Sequence, residues 1–187
     1  MSAPEGIALA SCLADIVELA PFRGCASEVE RLAAERGIPL PSRGGVLARA
    51  GRAALSVRPE RWLLLAPRAS PGASAAAWQG LSGNAAVVDQ SAALAAFLLA
   101  GPALGEMLAR GCRLDLAPDA FPVGCAAATI MVQVPAILAR LRRGMLLLTP
   151  ATTARHLREW LVAASQPFGL ALGADVGMSE LERESPT

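Results

Sequence analysis

Two short runs decide the fold: Arg61-Trp62-Leu63-Leu64-Leu65-Ala66-Pro67 and Gly144-Met145-Leu146-Leu147-Leu148-Thr149-Pro150. Each is four or five apolar residues closed by a proline, the pattern of a strand buried on both faces. Proline has no N–H for a ladder, so it ends the strand. Each run is followed by a helical stretch with one tryptophan, Trp78 or Trp160. The chain carries the same unit twice.

The elements before the two runs correspond as well. Upstream of the first lies an apolar strand over residues 13–20. A helix follows, with Ser27-Glu28-Val29-Glu30 as a capping box and Gly37 as its C′ residue. Strands over 46–50 and 52–57 turn tightly at Gly51, and 61–66 is the third strand. Upstream of the second run lie strands over 85–89 and 94–100. Gly101-Pro102 opens a helix that stops at Gly111, with Pro102 at its first position. A loop with Pro118, Pro122 and Gly124 leads to strands over 126–134 and 136–141. After Pro150, Thr152 caps a helix to Ser165. The expected fold is α+β, two ferredoxin-like β-α-β-β halves over 13–84 and 85–172 sharing sheet or core. Residues 1–12 and 173–187 are expected as flexible tails.

Composition narrows the function. The 187 residues carry 17 basic and 16 acidic groups, net +1, and every basic residue is arginine. A near-neutral chain exerts no long-range pull on nucleic acid or anionic lipid. Without lysine it has neither a Schiff-base amine nor a P-loop lysine. Apolar residues make up 53% and mean hydropathy is +0.43, which leaves room for a surface buried against a partner. The longest apolar run, 123–139, is broken by Gln133 and Pro135, so no membrane span is expected. Leu9-Ala10-Ser11-Cys12 fits a lipoprotein cleavage box, but Glu5 and the short apolar stretch before it argue against a signal segment. A cytoplasmic protein is expected.

Catalytic groups are sparse. Cys12, Cys25, Cys112 and Cys125 form no C-x-x-C pair and His156 is the single histidine, so a Cys₂His₂ zinc site is impossible and no metal site is expected. His156 falls on the polar face of its helix, beside Arg155 and Arg158. Arg110 and Arg113 could activate Cys112, yet nothing supplies a base. There is no dinucleotide fingerprint and no nucleophile elbow. No catalytic residue and no cofactor are assigned to this chain. Asp89-Gln90-Ser91 follows an apolar strand; Asp89 and Ser91 either close an Asx turn or contact a ligand amine.

One string is distinctive. Asp89-Gln90-Ser91, Gly101-Pro102, Arg110-Gly111-Cys112-Arg113-Leu114-Asp115-Leu116-Ala117-Pro118, Phe121-Pro122-Val123-Gly124 and Thr129 resemble the gamma subunit of heterotetrameric sarcosine oxidase. Glu60-Arg61-Trp62-Leu63-Leu64-Leu65-Ala66-Pro67 and Glu159-Trp160-Leu161 match too, and the resemblance spans roughly residues 13–172. It departs from the family at Ala92, Cys125 and Ala128. The resemblance implies an aminomethyltransferase-like folate-binding-module fold and a non-catalytic accessory role. It further implies alpha, beta and delta type partner subunits, with FAD, FMN, NAD and tetrahydrofolate held on those subunits. A folate-binding or aminomethyltransferase-like protein, using Asp89 and Ser91, is the alternative.

A partner contact is expected in the loop 111–124, which is long for a connection inside a domain. Phe121 would anchor it, with Leu116 and Cys112 beside it and Arg113 and Asp119 at the rim. Alternatively, Leu116 and Phe121 cap the chain's own core.

Overall fold

The computed structural model describes residues 6–177. Its backbone is one curled sheet with helices on the outside. In the first half, β1 (Ile7–Pro21) leads through α1 (Ala26–Glu35) to β2 (Gly45–Arg49), β3 (Arg52–Arg58) and β4 (Arg61–Pro67). The short α2 (Ala73–Ala76) and β5 (Ala85–Asp89) connect to the second half. There β6 (Leu94–Ala100) leads through α3 (Leu104–Ala109) to β7 (Ala126–Met131), β8 (Val134–Leu141) and β9 (Gly144–Pro150). Then come α4 (Ala154–Ser165), β10 (Leu170–Leu172) and β11 (Val176–Gly177).

The sheet order is β2-β3-β4-β1-β6-β9-β8-β7. The two β-α-β-β-β units are therefore mirrored about the β1–β6 pair. At the far ends the sheet nearly closes on itself. Gly45 bridges Cys125, the Val46 N–H donates to the Gly124 carbonyl at 2.8 Å and the Ala126 N–H to the Gly44 carbonyl at 2.7 Å.

This curl explains the two apolar runs. In β9, Leu146 and Leu148 point inward while Met145 and Leu147 pack outward under α3 and α4. In β4, Leu65 points inward while Trp62 and Leu64 pack outward against α1. Both faces are covered, so every position is apolar. The interior is lined with small residues, among them Ala14, Ala53, Ala96, Ala126 and Ala139, which lets the sheet curl tightly.

Several local features differ from expectation. The segment before residue 13 is strand from Ile7 onward, not a loose arm: Ile7 and Leu9 are fully buried, and the neighbouring Ala8 and Ala10 blur the alternation. In the expected C-terminal tail, Val176 and Gly177 pair in parallel with Cys12 and Leu13; residues 178–187 lie outside the described residues. Helix α1 begins after Cys25, so Ser27 sits inside its first turn and makes no capping bond. Glu28 instead pairs with Arg31 at 2.6 Å. Gly37 does take the left-handed C′ conformation, φ +74°. Helix α3 starts at Leu104, leaving Pro102 in the preceding turn. Helix α4 is bordered by Thr153 rather than Thr152, after a 3₁₀ turn.

The β2–β3 and β7–β8 hairpins use the same device. Ala50–Gly51 and Val132–Gln133 are all at positive φ, the twist-matched geometry for a two-residue turn. Sequence pattern puts the second turn at Pro135. In fact Pro135 lies within β8 opposite Ile130, because Val132 and Gln133 are poor advertisements for a left-handed turn.

Candidate functional site

Away from the Gly45–Cys125 bridge the two ends of the sheet diverge, and a cleft of about 560 Å³ opens between them. Its walls are apolar: Val57 and Leu63 on one side, Ile137 and Leu148 on the other, with Leu94 at the base. Its rim carries Glu18, Arg58, Arg61, Gln90 and Thr129. The Glu18 carboxylate accepts from Arg61 Nη1 at 3.1 Å and from Gln90 Nε2 at 3.0 Å. Arg61 is half exposed, so this pair contributes at most about 1 kcal/mol; its role is to orient the rim.

The Asp89-Gln90-Ser91 turn sets that rim. Asp89 Oδ1 accepts the Ser91 N–H at 2.9 Å, an Asx turn. The Ser91 hydroxyl accepts the Ile16 N–H at 2.9 Å, and the Gln90 N–H donates to the Ile16 carbonyl at 2.8 Å. Asp89 and Ser91 are thus engaged in fastening the turn to β1. Hydrogen bonds from the Ser91 hydroxyl and then its N–H hold the Asp89 carboxyl below the usual carboxylate range. Gln90, which the sequence pattern did not single out, is the side chain that reaches the cleft.

The loop 111–124 is organised by the chain's own core. Leu116 and Phe121 are each 6% exposed and Cys112 is buried, all packed in the cluster under α3 and α4. Asp115 Oδ1 accepts the Ala117 N–H at 2.9 Å, and the Phe121 N–H donates to the Ala117 carbonyl at 2.8 Å. Phe121 is therefore a core residue and not a projecting anchor: its ring replaces the helix packing that so long a connection lacks. Arg113 and Asp119 are on the surface, together with Asp115, the 117–120 stretch, Pro122 and Val123.

The remaining candidates are scattered. His156 is exposed on α4, and Arg155 beside it pairs with Glu159 at 3.3 Å. The four thiols are unlinked; Cys112 Sγ lies 3.9 Å from Thr129 Oγ1. Burial pushes the Cys12 thiol up to about 11. Among the described residues no three His, Cys, Asp or Glu side chains cluster as a metal site, and no helix is long and apolar enough to cross a membrane.

No family model matches the chain. Individual proteins do. Over 91% of its length it superposes on 48% of glycine cleavage system aminomethyltransferase T from Bartonella henselae, TM-score 0.58 at 15% identity. The fold is thus that of an aminomethyltransferase-like α+β module. It superposes more closely, TM-score 0.77 at 29% identity, on a chain of the heterotetrameric sarcosine oxidase from Corynebacterium sp. U-96, covering 91% of this chain and 89% of that one. Sarcosine oxidase subunit gamma from Arthrobacter sp. is 35% identical over 142 residues, 73% of this chain and 69% of that protein. The same subunit from Corynebacterium sp. strain P-1 is 33% identical over the same length. The chain belongs to the family of sarcosine oxidase gamma subunits.

Proposed function

We propose that this chain is the non-catalytic accessory gamma subunit of a multisubunit, flavin-dependent oxidase of sarcosine or a related N-methyl amine. It packs against the larger alpha-type subunit, within a cytoplasmic complex that also holds beta and delta type subunits. FAD, FMN, NAD and tetrahydrofolate sit on those partners. The observation that carries this reading is the superposition over nine-tenths of the chain on a subunit of a heterotetrameric sarcosine oxidase.

The test is reconstitution. Alpha, beta and delta type subunits are co-expressed with and without the tagged chain. The complex should be retained on the tag, turn over sarcosine and lose integrity when the chain is omitted. Failure of the chain to co-purify with any of them sinks the reading.

The cleft favours one second reading, a folate-binding protein. Asp89 and Ser91 are engaged in the turn, so Gln90 and Arg61 would carry it. Saturable quenching of Trp62 on folate titration of the isolated chain supports this reading; a flat titration removes it.

A further inference from the structure

The outward edge of β7 is occupied at both ends and open in the middle. At one end the Ala126 N–H donates to the Gly44 carbonyl, and at the other the Val132 N–H donates to the Gly111 carbonyl at 3.0 Å. Backbone groups on a strand alternate in direction, so the groups of Ala128 and the N–H of Ile130 face the same way. The register agrees. Ile130 lies opposite Pro135, which has no N–H, so this is a pair not hydrogen-bonded across β7–β8. Among the described residues no strand pairs with this edge.

An open edge is ordinarily guarded by charge or proline. Residues 126–131 are Ala-Ala-Ala-Thr-Ile-Met, with neither, and Ile130 is 53% exposed. The edge borders the apolar cleft, across from Val57 and Arg58. The rim holds two guanidinium groups, Arg58 and Arg61, against one carboxylate, Glu18, which Arg61 and Gln90 already engage. Arg58 has no acidic partner among the described residues.

We infer that the β7 edge at Ala128–Ile130 takes a short extended segment of a partner polypeptide. Its backbone pairs with β7, an apolar side chain enters the cleft, and an acidic side chain meets Arg58. Donors and an acceptor at two-residue spacing call for a strand, which is recognition by β-addition. The inference rests on the reading that the chain works as a subunit of a larger complex and says where the partner attaches.

Amide hydrogen exchange at residue resolution, on the isolated chain and on the reconstituted complex, is the test. The Ala128 and Ile130 amides should exchange rapidly when free and at least tenfold more slowly when assembled. Ala128→Pro and Ile130→Pro remove only outward N–H groups, as Pro135 already does from its own strand. Each should weaken assembly about tenfold, the worth of one interfacial hydrogen bond plus the acceptor stranded opposite it. Arg58→Glu should weaken it further at low salt. Because exchange is read on the wild type, misfolding of a proline variant leaves the test intact. Unprotected amides in an intact complex overturn the edge assignment alone. Absence of any complex overturns it together with the subunit reading. Protection that rises with the concentration of the chain alone identifies a second copy as the occupant, and also overturns it.

Discussion

The Ser91 hydroxyl accepts a hydrogen bond from the backbone N–H of Ile16, 75 residues earlier in the chain. Ile16 is 1% exposed and sits where β1 leaves β6 and takes up β5. Removing the hydroxyl leaves a buried donor without a partner, at about 1–3 kcal/mol. Ser91→Ala should therefore lower the melting temperature by several degrees, since about 1 kcal/mol is worth 2–4 °C at this size. A melting temperature unchanged within a degree would show the bond to be dispensable.

Asp89 closes the same turn and carries a pH signature. The Ser91 hydroxyl and then the Ser91 N–H hold its folded pKa below the ordinary value. A depressed pKa contributes stability above the unfolded value, near about 4, and that contribution is lost as pH falls through the folded value. Asp89 is exposed, so the effect is small. Thermal melts from neutral to strongly acid pH should show wild type losing more than Asp89→Asn in the acid limb, with parallel curves above pH of about 5. Parallel curves throughout would contradict the assignment.

Phe121 separates core from interface. Truncating a buried aromatic costs about 3–5 kcal/mol, so Phe121→Ala should lower the melting temperature of the isolated chain by roughly 10 °C. Where the variant is folded, in the cold, it should still co-purify with partner subunits. A normal melting temperature with lost co-purification would return Phe121 to the surface.

The thiols should fall into two classes. Cys25 and Cys125 are half-buried, while Cys12 and Cys112 are buried. With its thiol pushed up to about 11 by burial, Cys12 holds almost no thiolate at pH of about 8. Disulfide-exchange titration of the native chain should show two prompt thiols and four after denaturation. A folded pKa above the unfolded one contributes stability that is lost as pH rises toward it, so Cys12→Ala should flatten the alkaline limb of the melts.

The strands that wear their partners on both faces were plain in the sequence: Trp62 to Leu65 and Met145 to Leu148 are apolar because helices cover one side and the curled interior the other. The Gly51 and Gly37 positions were plain because only glycine adopts those angles freely. What stayed hidden was non-local. Gly45 meeting Cys125, and Val176 meeting Cys12, depend on chain path and leave no local mark. Phe121 looks alike in sequence whether it faces a partner or the core. Gln90 reaches the cleft only because its neighbours tie the turn to Ile16.

The fifteen residues of β1 take partners from β4, β5, β6, β10 and β11. On a ribosome, Leu9 first meets Leu99 of β6, but the other edge of Ile7 and Leu9 stays open while some 160 further residues are made, until Leu170 and Leu172 arrive beside them. Contacts so distant in sequence form late and slowly, and an apolar strand held open in the meantime is a target for chaperones or for misassembly. No nascent fragment ending at the first repeat can complete this strand. The chain folds as one cooperative unit after both repeats have emerged, and severing it between Asp89 and Leu94 would unravel the two repeats together.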